Sequence, residues 1–183
     1  LNTQFRELDV DFGMRFDDIA RNGSVAEEHH DEDEHEEEEE HGEMESYDLD
    51  FQTASYALQV SQDWSDDLTV SLGFSNVERA PGAQELFMNG PHLATGRFEV
   101  GDVNLSSEVS NNVDFSLDYE RDDMFLKASF YANTVDNYIY LMDETEEDHE
   151  EHEDEDHEDH DRDMILANYL QQDAEFTGNE IVV

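Results

Sequence analysis

The sequence predicts an all-β chain: an antiparallel up-and-down sheet of about six strands, built as a transmembrane β-barrel, with long acidic external loops. Three observations carry that expectation. Apolar residues recur with period two rather than 3.6. The strand-like runs exceed ten residues, against ~5–6 in ordinary soluble sheets. Short and long connections alternate, as they do in barrels with tight turns at one membrane face and long loops at the other. A soluble sheet with one face on a core would show the same alternation. Strand length and a polar face that is consistently charged or amide-bearing, as a wet lumen allows, tip the balance to the barrel, and compact soluble domains seldom carry three loops of this size.

The elements follow in order. In "LDVDFGMRFD" the apolar set is Leu8, Val10, Phe12, Met14 and Phe16, alternating with Asp9, Asp11, Gly13, Arg15 and Asp17. A strand places each set on one face. In "YDLDFQTASYALQVSQ" the apolar phase is odd at Tyr47, Leu49 and Phe51, then even at Ala54, Tyr56, Leu58 and Val60. A β-bulge near Gln52–Thr53 would switch the phase, as would a strand end emerging from whatever buries it. "LTVSLGFSN" sets Leu68, Val70, Leu72 and Phe74 against Thr69, Ser71, Gly73 and Ser75; "NVDFSLDYE" does the same with Val113, Phe115, Leu117 and Tyr119. "MFLKASFYANTVDNYIYL" has Met124, Leu126, Ala128, Phe130 and Ala132 opposite Lys127, Ser129, Tyr131 and Asn133. The sixth strand, "ANYLQQDAEFTGNEIVV", includes Gly178, where a bulge or close backbone approach is expected. Short turns fall at "QDWSDD" and "ERDD".

Charge separates the chain into two materials. The 183 residues carry 52 Asp and Glu against 8 Lys and Arg, a formal −44. Residues 27–45 account for −13 and residues 143–163 for −14. These runs hold too little apolar surface to offset the entropy of ordering them. So acidic a balance argues against nucleic acid, which needs Lys and Arg at its phosphates, and favours metal ions as partners. Cysteine is absent, which removes disulfides and thiolate metal sites. No apolar run approaches the ~20 residues of a membrane helix, and spanning by strands remains open. The paired carboxylates of "ERDD" and "DWSDD" sit in short turns without a pocket, so no enzyme is expected; Arg79 and Glu85 are expected to order a loop.

Eight of the nine histidines lie in the two acidic runs: His29, His30, His35 and His41 in the first, His149, His152, His157 and His160 in the second. Imidazole nitrogen with carboxylate oxygen is a zinc donor set. The H-x-x-H spacings reach one ion if the segment turns, and many weak interchangeable sites raise the local ligand concentration. Carboxylates alone favour calcium or magnesium; histidine shifts the preference to zinc, copper or nickel, and composition leaves those three open. The bland reading is a solvated acidic loop, or acids bridged by calcium to lipopolysaccharide. His92, in "NGPHLAT", is a further candidate ligand, against an ordinary loop histidine satisfied by backbone groups. Tyr138 and Tyr140 read as interfacial girdle residues.

Residues 74–108 name a family. Arg79, Ala80, Pro81, Glu85 and Leu86 form an R-A-P-x-x-x-E-L element after a strand. Gly101, Asp102, Leu105, Glu108 and Asn112 form a G-D-x-x-L-x-x-E-x-x-x-N element opening the next. Together these resemble the barrel of TonB-dependent outer-membrane receptors, and "NGPHLATGRFEVGD" resembles the branch associated with zinc uptake. The resemblance implies a bacterial outer-membrane location, contact with lipid and lipopolysaccharide, TonB as partner through a plug region, and zinc as cargo. Such receptors have 22 strands around a plug. The plug, the TonB-contacting segment and the terminal aromatic residue are missing here, so a fragment of a barrel is expected, with open sheet edges and an exposed apolar face. Over residues 1–183 it would carry an acidic His-rich loop at 27–45, an external loop at 78–108 and a second acidic His-rich loop at 143–163. A receptor for haem or another metal chelate, or an acidic metal-buffering protein that transports nothing, are the alternatives.

Overall fold

The computed structural model of the chain describes residues 8–26, 44–144 and 164–183. Six long strands are present, as the alternation predicts: β1 (Leu8–Ala26), β2 (Met44–Ser65), β3 (Leu68–Arg79), β6 (Glu108–Arg121), β7 (Met124–Asp143) and β8 (Ile165–Val182). The connection from β3 to β6 adds a short helix, α1 (Ala83–Phe87), and a small hairpin, β4 (Asn89–His92) and β5 (Arg97–Val100). One sheet results, in the order β1-β2-β3-β6-β7-β8-β5-β4. All neighbours are antiparallel except β5 and β8. The short turns lie at Asp66–Asp67 and Asp122–Asp123, and Asp122 takes the left-handed conformation such a turn needs (φ 52°).

One face of the sheet is an apolar belt. Across the register, Val10, Val60, Leu72, Phe115 and Phe130 lie in one row, and Phe12, Leu58, Phe74, Val113 and Ala132 in the next. The large members of these rows are exposed, up to 65% at Phe12. That exposure suits a face solvated by lipid. In β1 the belt runs from Leu8 to Phe16, nine residues, close to the ~9–11 that a tilted strand needs to cross a bilayer. Beyond it the same face turns polar: Gln52 donates to Asp18 at 3.0 Å, and Asn22 donates to Asp48. The opposite face is polar within the belt. Ser61 and Ser71 share a hydrogen bond of 2.8 Å, Ser110 donates to Asn133 at 2.8 Å, and Lys127 meets Asp118 at 3.2 Å.

The phase switch in β2 has no bulge behind it. Pairing of β1 with β2 runs unbroken from Leu8↔Gln62 to Ala26↔Met44, passing through Asp17↔Thr53 and Asp18↔Gln52. Of the two explanations for the switch, the bulge near Gln52–Thr53 is absent and the strand emerging from what buries it is the one found. What changes is which face is buried: Ala54, Tyr56, Leu58 and Val60 point to the belt side, whereas Leu49 and Phe51 lie on the other face beneath the β3–β6 connection. Register shifts occur instead between Asp63 and Ser65 and between Val135 and Tyr138, the second with Asn137 left-handed (φ 56°). At Gly178 the register is regular and no backbone approaches closely; instead the ring of its cross-strand neighbour Tyr131 covers it, and a Cβ there would lie 2.5 Å from that ring.

The β3–β6 connection folds onto the sheet, and the R-A-P and G-D elements hold it there. The Arg79 guanidinium bonds both Glu85 oxygens at 3.0 and 2.8 Å and reaches Glu108 at 3.3 Å. Glu85 also accepts from Gly82 N at 2.6 Å, which caps α1, and its carbonyl accepts from Asp102 N at 2.9 Å. Glu108 accepts from Ile139 N at 3.0 Å, tying the clip to β7. Beneath it, Leu86, Leu105 and Ile139 form a small core, with Leu49, Phe51, Phe87 and Tyr169 packed around them. Gly101 is needed because a Cβ would stand 2.7 Å from the Leu86 carbonyl carbon, and backbone cannot step aside.

The hairpin is then pinned to the far side of the sheet. Residues 97–100 pair in parallel with 165–168, and Ile165 N donates to Gly96 O at 3.1 Å. Arg97 grips Asp143 with two bonds of 2.6 and 2.8 Å, a fork on a carboxylate. The positive φ of Gly96 (67°) closes the turn between β4 and β5.

Two outcomes are expected. Leu86→Ala should destabilise the connection by about 2–5 kcal/mol, as buried leucine truncations do, and hydrogen exchange should quicken at residues 80–107 while the belt strands keep their protection. Arg97 holds the Asp143 carboxyl below its ordinary 3.8. A depressed carboxyl contributes stability above its unfolded value and loses it as pH falls through the folded one. Exchange at the Ile165 amide should therefore be insensitive to the clamp's titration between pH 8 and 5 and rise in strongly acid solution, and Arg97→Ala should give the fast rate at every pH.

Candidate functional site

His92 ends β4, and its side chain is set by hairpin geometry. Its directly opposite partner is Arg97, and Gly90 faces Glu99. Glu99 is two residues beyond Arg97, so it is the diagonal neighbour of His92 on the same face. The contact is short: His92 Nδ1 lies 2.6 Å from Glu99 Oε1. The carbonyl of His92 also accepts from Thr95 N at 3.0 Å and Gly96 N at 3.1 Å, which fixes the backbone beneath the ring.

Glu99 is the most buried acid among the described residues, at 2% exposure. A carboxylate so enclosed is costly unless every lone pair is met. Here it is met from four elements of structure. His92 at 2.6 Å and Thr95 Oγ1 at 3.4 Å donate to Oε1. Gln84 Nε2 on α1 donates to Oε2 at 3.0 Å, and Tyr169 OH on β8 at 3.3 Å. The His92 bond, with help from Gln84, holds the carboxyl below its ordinary range against the upward pull of burial. Burial first, and then the Glu99 charge, raise the Tyr169 phenol. The ion thus stays ionised and fixed, and the ring it orients is left partly open, with a side-chain exposure of 41%.

Of the nine candidate ligands, only His92 lies within the described residues. His29, His30, His35, His41, His149, His152, His157 and His160 all fall outside them. The anchors of the two runs are nonetheless placed. Ala26 and Met44, which bracket residues 27–43, are register partners, and Glu144 N donates to Leu166 O at 2.9 Å across the foot of the second run. Both feet stand at the margin of the sheet that carries α1 and the hairpin, away from the two short turns. Among the described residues no three His, Cys, Asp or Glu side chains converge as a metal cluster. Both oxygens of Glu99 are occupied by donors, so His92 offers a single imidazole rather than a His–Glu chelate. Tyr138 and Tyr140 stack on each other at 6.4 Å, with Phe176 edge-on to Tyr138 at 5.5 Å, and join no ligand group.

Sequence reasoning missed Glu99, Gln84 and Tyr169, and the Arg97–Asp143 clamp. A signal for the first existed. The "ATG" between "NGPH" and "RFEV" is a turn with a glycine suited to positive φ, and folding the two halves about it puts His92 and Glu99 on one face. Nothing local announces Gln84 or Tyr169, which arrive from α1 and from a strand some 70 positions away.

Comparison with known proteins identifies the fold. The family described as TonB dependent receptor-like, beta-barrel, matches residues 1–181. Among solved structures, the chain resembles the copper transporter OprC (19% identity, TM-score 0.59, 98% of this chain and 23% of that one). It resembles equally the Serratia marcescens hemophore receptor HasR, solved as a double mutant with its hemophore HasA and heme (16% identity, TM-score 0.58, 95% and 28%). The siderophore receptor PirA from Pseudomonas aeruginosa is similar over 75% of this chain and 24% of its own (19% identity, TM-score 0.50). At these identities the likeness is one of fold, and the chain spans about a quarter of the length of each receptor. With its β-barrel family matched over nearly the whole length, the chain belongs to the TonB-dependent receptors, a family of outer-membrane transport proteins rather than enzymes.

Proposed function

We propose that this chain is part of a bacterial outer-membrane receptor that imports a metal ion, zinc, and that its His-rich acidic segments at 27–45 and 143–163 gather the ion before it passes inward. The observation that carries this reading is the placement of eight of nine histidines in two acidic runs. The feet of those runs stand at the sheet margin where His92 is held. Dense negative charge concentrates divalent cations and speeds their capture. Imidazole then selects zinc, copper or nickel over calcium and magnesium. The ion would descend past His92, and TonB acting through a plug region would release it inward. Solved receptors of the same fold include a copper transporter, a hemophore receptor in complex with heme and a siderophore receptor, which supports a metal-related substrate in general.

One observation favours a second reading, uptake of haem or another metal chelate. Both oxygens of Glu99 are taken by donors, so His92 offers one imidazole with no chelating partner beside it, and a chelated metal, which brings most of its own donors, needs no more than one protein ligand. The acidic runs would then be accessory. A metal-buffering protein that transports nothing sits poorly with a belt whose large apolar side chains face outward.

The intact receptor, purified in detergent, should bind several zinc ions at pH 7.4 in the presence of excess calcium. Most of that binding should vanish at pH 5.5, where imidazoles of ordinary pKa, about 6.5, are protonated. Deleting residues 28–42 and 146–162 should remove most of the bound zinc. Zinc binding no stronger than calcium binding, or binding unchanged by the deletions, would leave the runs as generic acidic loops and remove the support for zinc.

A further inference from the structure

We propose that Glu99 is a positioning residue for metal capture: its buried carboxylate fixes the His92 ring with the proton on Nδ1, so that the Nε2 lone pair is presented to an incoming zinc-class cation. The inference rests on the metal-receptor reading above and adds to it the residue that makes His92 a ligand.

The tautomer follows from the contact. An ionised carboxylate can only accept, so the 2.6 Å bond from Nδ1 to Oε1 requires the proton on Nδ1. In the neutral ring the lone pair is then on Nε2. The partners differ sharply in exposure, 41% for the His92 side chain against 2% for Glu99, so the Nδ1 edge is held inside and part of the ring stays open to solvent. Among the described residues nothing else bonds the ring.

Charge at this position needs a reason. If Glu99 served only to tie the hairpin to α1 and β8, a neutral side chain of the same shape would meet donors such as Gln84, Thr95 and Tyr169 without the cost of burying an ion. What a carboxylate adds is electron density on the imidazole. A metal-binding histidine whose other ring nitrogen donates to a carboxylate is oriented and is a stronger donor, and loss of that partner costs about 10–100-fold in metal affinity. Rigidity supplies the remainder. Glu99 is gripped at both oxygens, and the His92 backbone is locked by the turn at Thr95 and Gly96. The cation so bound would be of the borderline class that imidazole suits, zinc, copper or nickel, with water or the cargo's own donors completing its shell.

Nitrogen NMR of the intact receptor with 15N-labelled histidine tests this at one residue, with the His92 signals identified by their loss in His92→Ala. In the metal-free wild type, the neutral His92 ring should show a protonated Nδ1 and a bare Nε2. Added zinc should shift Nε2, and Glu99→Gln should require about 10–100-fold more zinc for the same shift. A neutral ring with the proton on Nε2 and a bare Nδ1 in the metal-free wild type overturns the proposal and needs no variant that must fold. So does a zinc midpoint at His92 that Glu99→Gln leaves unchanged. Zinc held by the acidic runs with no response at His92 would sink this inference and leave the receptor reading intact. A silent pair of runs beside a responsive His92 would do the reverse.

Discussion

Everything outside the bilayer in this sheet depends on an exchange of faces. The strands of ~20 residues are about twice as long as a membrane crossing requires, and a continuous ladder cannot rotate its side chains midway. The apolar residues change parity instead. Below the boundary the even positions of β1 and β2 meet lipid; above it the odd positions, Leu49 and Phe51, meet the β3–β6 connection. The external half thus acquires a small core of its own, while the β1–β2 ladder stays continuous with the membrane half and β7–β8 shifts register between Val135 and Tyr138.

That second core explains why the family's sequence elements have the residues they have. Arg79 answers two carboxylates, one on the helix and one at the start of β6, so a single guanidinium sets both the departure and the return of the connection. Leu86 and Leu105 anchor its two limbs to the same patch of sheet. Gly101 lets the limbs touch backbone to backbone. With the limbs fixed, the intervening hairpin has only one place to go, and its Glu99 arrives between α1 and β8 already provided with donors.

Much of this was legible in the sequence, for reasons that differ by element. The six long strands announce themselves because membrane and lumen sort side chains strictly by parity, and Arg79 and Glu85 read correctly as ordering a loop. The parity change in β2 was visible as well, although a bulge and an emerging strand give the same pattern; only the register at Asp18↔Gln52 separates them. The helix and the hairpin were not legible. Five residues of helix and two strands of four carry too few periods to stand out, and their stability comes from partners distant in sequence: Asp143 for Arg97, Tyr169 for Glu99. At the candidate site, His92 could be picked from its residue type and loop setting. Its partner Glu99 was signalled only through the turn that folds "NGPH" onto "RFEV", since composition alone does not separate it from 51 other acids.

The parallel pairing of β5 with the first four residues of β8 bears on how the barrel closes. Hydrogen-bonding groups on that edge of residues 165–168 are already spoken for, so whichever strand lies next to β8 must end its ladder near Tyr169. The hairpin acts as a built-in stop that limits the stagger open to a strand on that side of β8, and stagger is one of the terms that fix strand tilt in a closed sheet. A loop reached from β3 therefore helps to dimension the cylinder on the far side of β8, and a change that loosens it would be felt in the shape of the opening as well as at its rim.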